Sequence, residues 1–376
     1  MIRIRNGTVT ALLARRPGAT EVAVSVEPEG VEARALGYDD LTGPLKVGDR
    51  VVLNTTAVAL GLGTGGLHLV MARLDGPGDR HDGHDEGGPG SPGHLMKARY
   101  TPAQVRVLAV EEEASPHRGA VEAVTDLGGM PVVCAELHSM VPVIAAAARA
   151  AGADLTVAYV MSDGAALPLA YSRLAAELRD AGLVAGIVTA GQAFGGDLEA
   201  ITLHSGLAAA RAVLGADVAV VAQGPGGAGT GTAFGYSGTQ VAEMLHAAAA
   251  LGGRPIACLR MSTADRRERH RGVSHHSLTV LGRLTLTRVT VALPALDDPA
   301  LAALVNRQLV AAGVAGRHEL IAVHPPADPA ALLASWNLKV TTMGRGPDDD
   351  PVFFAAAAAA GTLAAQLVQV RRGAGG

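Results

Sequence analysis

Two loops hold most of the residues in this chain that are equipped for chemistry. The first lies in VVAQGPGGAGTGTAFGYSGTQVAEM, from Val220 to Met244, where an apolar run passes through a glycine-dense loop into a helical pattern. Bare glycine backbone lets N–H groups converge on an anion. Thr230, Thr232 and Ser237 add hydroxyls beside the positive end of the helix that follows. The second is RMSTADRRERHRGVSHHS, from Arg260 to Ser277, which is crowded with arginine and histidine. Guanidinium forks match phosphate or carboxylate geometry. Together the two loops predict a site for a small negatively charged ligand.

Known phosphate motifs fit poorly. GPGGAG at Gly224–Gly229 matches G-x-G-x-x-G in letter, but further glycines continue the loop and the best N-cap, Ser237, comes late. A dinucleotide fingerprint needs the helix to open among the glycines, with an acidic residue ending the next strand. A P-loop needs lysine where Thr230 stands. The glycine loop is therefore expected to hold an anion without the dinucleotide or nucleoside-triphosphate machinery. The residues expected to bind ligand are Gly224, Gly226, Gly227, Gly229, Thr230, Gly231, Thr232 and Ser237, joined by Gln192, Gly195, Gly196, Arg260, Arg269 and His270.

Proton transfer falls to His138, Asp163, Asp197, His275 and His276, each expected on a loop at the end of a strand. Ser139 follows His138 but lacks a G-x-S-x-G elbow, and is read as the N-cap of the next helix. Asp265 and Arg269 stand at i,i+4 and would pair on a solvated helix start. No metal site is expected. Consecutive histidines should diverge on a helix or strand, and no zinc-ligand spacing is present. His81, His84 and His94 lie in a Gly/Pro/charge-rich stretch, which reads as a solvated flexible loop at 75–94. No cofactor is indicated.

Positioning these residues requires a sheet. From about Gly129 the runs MPVVCAEL, DLTVAYVM, VAGIVTA, ADVAVVAQ, RPIACLRM, TRVTVAL, HELIAVH and LKVTTM alternate with Ala/Leu-rich helical segments. Ser237 with Gln240 fits a capping box, and Asp298-Pro299, Asp328-Pro329 and Asp350-Pro351 read as helix starts. Apolar strands alternating with helices predict a doubly wound, mostly parallel sheet with helices on both faces, or alternatively a TIM-like barrel. Either fold collects the strand-to-helix loops at one edge. The candidate loops there are Glu136–Ser139, Ser162–Asp163, Gln192–Asp197, the glycine loop, the basic loop, His324 and Thr341–Asp350. Before residue 113 the texture differs: TVTALLA, EVAVSVE, DRVVLNT and LHLVMARL are short β-branched runs. They predict a small β-barrel-like domain over 1–112, followed by an α/β domain over 113–376.

Composition narrows the classes. The chain has 376 residues, 49% hydrophobic but 3% aromatic, with 48 glycines and net charge −4. A core of Ala, Val and Leu is implied, and no global basic field draws the protein to nucleic acid or anionic lipid. Cys134 and Cys258 sit in apolar β-type runs and read as buried thiols, which suits the cytoplasm. The N-terminus lacks the apolar region of a secretory signal. Val352–Val370 is rich in alanine with two glutamines, and reads as a buried helix rather than a membrane span.

Several phrases resemble an uncharacterised bacterial family, number 3866 among the domains of unknown function: LKVGDRVVLNTTAVALGLGTGGLHLV, ELHSMVP, AFGGDLEA, GPGGAGTGTAFGYSG and RERHRGVSHHS. The resemblance runs almost end to end. It implies one continuous protein with a β-rich front and an α/β body, and supplies no activity. Three functions stay open: an enzyme acting on a small anionic substrate, a non-catalytic metabolite-binding or sensing module, and a homo-oligomeric structural protein using its glycine loops as packing surfaces.

Overall fold

The computed structural model describes residues 2–74 and 93–374. His81 and His84, and most of the 75–94 loop, lie outside them. Strands β1 (Ile4–Arg16), β2 (Ala19–Val26), β3 (Val31–Tyr38), β4 (Arg50–Asn54) and β5 (Leu67–Arg73) close into a barrel in the order β1-β2-β3-β5-β4. Alternation along the strands turns Val9, Val22, Val24, Ala35, Val51, Leu53 and Val70 into one buried core. β3 was not among the expected strands, because its first half, Val31–Arg34, is charged and largely exposed.

A hairpin of β6 (Leu95–Lys97) and β7 (Val105–Val107) leads onward and drives Lys97 into the second domain. The Lys97 ammonium is fully buried. It donates to the carbonyls of Thr189, Ala193 and Ala200 at 2.9, 2.7 and 3.1 Å and pairs with Glu199 at 2.7 Å. Three carbonyls and a carboxylate replace its hydration shell, which is how a buried lysine stays tolerable.

The second domain is an open sheet of eight strands: β8 (Pro131–Ala135), β9 (Val157–Ser162), β10 (Ile187–Ala190), β11 (Leu198–Ala200), β12 (Val218–Gln223), β13 (Arg254–Cys258) and, beyond a small hairpin of β14 (Met261–Ser262) with β15 (Gly272–Val273), β16 (Thr290–Pro294) and β17 (Glu319–Val323). The order is β11-β10-β9-β12-β8-β13-β16-β17, and every pairing is parallel. An open sheet with two edges excludes the TIM-like alternative. The LKVTTM run is a loop with an isolated Thr342–Arg345 bridge, whereas β11 came from a three-residue stretch too short to read.

Both faces are covered. Val133, Ala135, Tyr159 and Val220 pack against helices Val141–Ala151, Arg173–Asp180 and Pro351–Ala374. Val132, Cys134, Val160 and Val221 pack against Leu203–Ala212, Val241–Ala250 and Pro299–Ala311. Cys134 and Cys258 are free, buried and in opposite-face cores. Alanine permits very close helix packing here. At Gly361 a Cβ would run into the Ile144 carbonyl, so only glycine fits. The last helix is long and apolar enough to span a membrane, but 72% of its apolar window is buried inside the fold.

Asp298 and Asp328 cap their helices through side-chain acceptance of the Ala300 and Ala330 N–H groups. Two other expected caps do not form. Ser139 lies inside a 3₁₀ turn, and Ser237 and Gln240 make no capping box. The last helix opens at Pro351 as expected; Asp350 before it is fully buried and accepts from Ser262 Oγ at 2.7 Å and Arg345 Nε at 3.2 Å, tying the helix to β14. The barrel docks on the same molecule through Arg16, whose Nε donates to the Ala170 carbonyl at 2.8 Å, and through Glu21, which pairs with Arg173.

Candidate functional site

The crossover leaving β8 runs over one face toward β9, and that leaving β12 runs over the other toward β13. Where crossovers part in this way, the carboxyl ends of the strands leave a crevice. A cleft of about 520 Å³ opens at that place. Its walls are Leu137–Ser139 after β8, Gln223–Gly229 after β12, Arg260 after β13, the basic loop, and Thr341–Met343.

The glycine loop forms the first wall. Gly224 faces the Ala166 carbonyl, where a Cβ would come within 2.6 Å, and Gly227 faces Gln223 Nε2 at the same distance. Beyond Gly229 the chain folds on itself. Gly229 bridges Tyr236, the Thr230 N–H donates to the Gly235 carbonyl at 2.7 Å, and the Thr230 and Thr232 hydroxyls bond each other at 2.8 Å. Gly224, Gly226, Gly227, Gly229 and Thr230 therefore line the cleft, whereas Gly231 and Thr232 form the hairpin tip. Ser237 sits behind the wall, its buried Oγ unpartnered.

The basic loop forms the second wall. Asp265 does not pair with Arg269. It grips Arg267 through bonds of 2.9 and 2.8 Å, with Arg260 and Arg345 within 3.9 and 3.7 Å. The Arg267 hydrogen bonds hold the Asp265 carboxyl far below the usual carboxylate range. Among the described residues Arg269 has no carboxylate partner, which leaves its charge uncommitted at the cleft.

Histidines converge beside these arginines. The ring centroids of His275 and His276 lie 3.9 Å apart, with His270 at 5.3 and 5.4 Å from them. The expected divergence of adjacent imidazoles does not occur. His275 and His276 open a helix (His275–Thr279), and the β14–β15 hairpin returns His270 against them. Burial, with the nearby arginine charges, lowers the affinity of all three for protons, to about 3 for His270 and about 4 for His276.

His138 lines the cleft but is fully engaged: Nδ1 bonds the Tyr159 hydroxyl at 3.0 Å and Nε2 bonds Ser172 Oγ at 2.7 Å. Burial drops its pKa to about 4. It is a neutral strut without a nitrogen to spare for proton transfer. Asp163 lies outside the cleft, accepting from the Gln192 N–H at 2.9 Å and from Gln240 Nε2 at 3.2 Å. Asp197 is at the wrong end of the sheet. After β10 the chain doubles back through Gly195 and Gly196, so Asp197 accepts from the Ile187 N–H at the amino end of β10 and pairs with Arg179. Gln192 accepts from the Arg99 N–H, and the Gly195 and Gly196 N–H groups serve Glu199. The structure thus places Gln192, Gly195, Gly196, Asp163 and Asp197 outside this cleft. A single strand-to-helix loop had been assumed where the chain inserts β11.

Glu136 stands in an expected strand-end loop but was given no role there, and Tyr236 was missed. Glu136 is buried behind the cleft, bonded by the Ser277 hydroxyl, with Oε2 unpartnered. Burial raises its pKa to about 7, against the pull of Arg260 and its hydrogen bonds. Tyr236 stacks on His276. Its place in the glycine loop was the available signal, and its packing was not.

Among the described residues, twelve buried side-chain polar atoms lack a partner. Five of them gather here: Glu136 Oε2, Gln223 Oε1, Ser237 Oγ, His275 Nε2 and His276 Nδ1. Native folds rarely leave such atoms unsatisfied, so a cluster marks a place where something else completes them.

Fold and site together define a doubly wound α/β protein with an appended β-barrel and a polar, arginine-lined crevice at its switch point. The chain belongs to the family described as Protein of unknown function (DUF3866), which matches residues 34–361. No curated protein and no solved structure matches it.

Proposed function

We propose that this protein is an enzyme acting on a small phosphate- or carboxylate-bearing substrate held in the cleft. The observation that carries this reading is the meeting in one crevice of Arg269, which has no carboxylate partner among the described residues, buried Arg260, and the unpartnered atoms of Gln223 and His276, with those of Glu136, Ser237 and His275 close behind its walls. The anionic group would lie between Arg269, Arg260 and the glycine wall, and the rest of the substrate would meet the histidines. The volume of about 520 Å³ lies within the usual range of small-molecule sites and suits a metabolite.

One observation favours a second reading, a non-catalytic metabolite-binding module. His138 is saturated, and Asp163 and Asp197 are outside the cleft. Calorimetric titration with inorganic phosphate tests the shared part: saturable binding lost in Arg269→Ala supports it, and no binding by the intact protein overturns it. Incubation with a panel of phosphate esters then separates the two, since release of phosphate or any modified product favours the enzyme.

A further inference from the structure

We propose that His270, His275 and His276 bind one divalent transition-metal ion of the zinc class beside the cleft. One ligating nitrogen from each residue lies within 4.8 Å of the others. A tetrahedral zinc ion, at about 2.0–2.1 Å from each nitrogen, needs these atoms roughly 3.3 Å apart. Binding would therefore draw the rings inward by roughly an ångström or more at the widest pair.

Three features point to a ligand. His275 Nε2 and His276 Nδ1 are buried without partners, although imidazole nitrogens in a protein interior are ordinarily satisfied. His276 and His270 are 3% and 1% exposed, so water does not readily serve them. His270 is already oriented: Nδ1 bonds Ser274 Oγ at 2.8 Å, which reserves Nε2 for a further partner. A hydrogen bond to the far nitrogen is the usual means of aiming a ligating histidine. Ser274 is itself fixed, since its N–H donates to the Arg260 carbonyl at 2.8 Å and its hydroxyl accepts from the His276 N–H at 3.3 Å. One serine thus orients the His270 imidazole and caps the helix that carries His275 and His276.

Three imidazoles without a carboxylate select zinc, cobalt, nickel or copper over magnesium or calcium, which require oxygen ligands. Three protein ligands also leave a fourth position open, the pattern of catalytic rather than structural zinc. Arg260, Arg267 and Arg269 oppose a cation here, and the carboxylates of Glu136 and Asp265 offset them in part. An anion in the cleft would offset the rest, so metal and phosphate should strengthen each other's binding by the same factor. The metal site stands on the histidines alone, and only this coupling rests on the function proposed above.

The test is titration of chelator-stripped, full-length protein with Co²⁺, read by visible d–d absorption, with Zn²⁺ displacement as the competitor. We expect one ion per chain, a loss of at least tenfold in affinity in His275→Ala and His276→Ala, and a 10–100-fold loss in Ser274→Ala. Circular dichroism confirms that the variants fold, and a His81→Ala/His84→Ala variant should bind as the parent does. Absent stoichiometric binding, unchanged binding in both His275→Ala and His276→Ala, or loss only in the His81/His84 variant would overturn the site. Phosphate binding without cobalt binding rejects the metal and keeps the anion site. Cobalt binding without phosphate binding does the reverse.

Discussion

The phenol ring of Tyr236 lies on the imidazole of His276, centroids 4.0 Å apart and planes inclined by 20°. The contact joins the glycine loop to the basic loop, two segments that meet only after the sheet has formed. The Tyr236 hydroxyl donates at 3.4 Å to the Glu136 carbonyl, which Gln223 Nε2 already serves at 2.9 Å. The ring should therefore matter more than the hydroxyl. Tyr236→Phe is expected to bind phosphate within about twofold of the parent, whereas Tyr236→Ala loses about tenfold, a difference of about 1.4 kcal/mol. Calorimetry on the three proteins checks this. Equal losses in both variants would contradict it.

The two cleft arginines should behave differently. Arg269→Ala removes a charge with no carboxylate partner among the described residues, so phosphate affinity falls about 10–100-fold with little change in stability. Arg260 is 8% exposed and its charge acts on buried Glu136, so its removal leaves that acid group without its cationic neighbour, whereas Asp265 keeps Arg267. Arg260→Ala should lose both binding and roughly 2–4 kcal/mol of stability. Denaturation midpoints measured alongside phosphate titrations separate the two effects.

The glycines divide along steric lines. A Cβ on Gly224 would press on the Ala166 backbone at 2.6 Å, whereas one on Gly231 meets nothing within 4 Å. Gly224→Ala is expected to cost about 1–3 kcal/mol and to deform the cleft wall, and Gly231→Ala to be neutral. Thermal melts of the pair provide the comparison.

Acid should weaken the fold through its buried histidines. With His138 at about 4 when folded and about 6.5 when unfolded, the unfolded chain binds more protons between those values. Stability supplied by neutral His138 is thus present above about 6.5 and lost as pH falls toward 4, by about 3 kcal/mol at most. Glu136 acts in the opposite sense. Its raised folded pKa of about 7 makes stability fall as pH rises from about 4.5 to 7. His138→Gln should flatten the acid limb of a denaturation-versus-pH curve and leave the neutral limb's slope unchanged. A curve parallel to the parent's would rule this out.

Asp163→Asn and Asp197→Asn should leave phosphate affinity within about twofold, because both carboxylates lie outside the cleft and bind backbone N–H groups. A large loss of affinity in either, at unchanged stability, would return that aspartate to the site.

The alternation of apolar strands with alanine-rich helices was enough to specify a parallel sheet with its loops along one edge, because strand and helix periods are local properties of the chain. For the same reason, cleft residues that directly follow a strand were legible: Gly224 and Gly226 after β12, Arg260 after β13, His138 after β8. Pairing and register are not local. Asp197 seemed to end a strand, yet the chain doubles back through Gly195 and Gly196 before starting β11, which carries Asp197 to the amino end of β10. His275 and His276 seemed bound to diverge, yet β14 and β15 brought His270 against them and the rings closed into a cluster. Long-range contacts of that kind depend on how tertiary packing satisfies buried polar groups, and they alone decided which of the chemically able residues share one cleft.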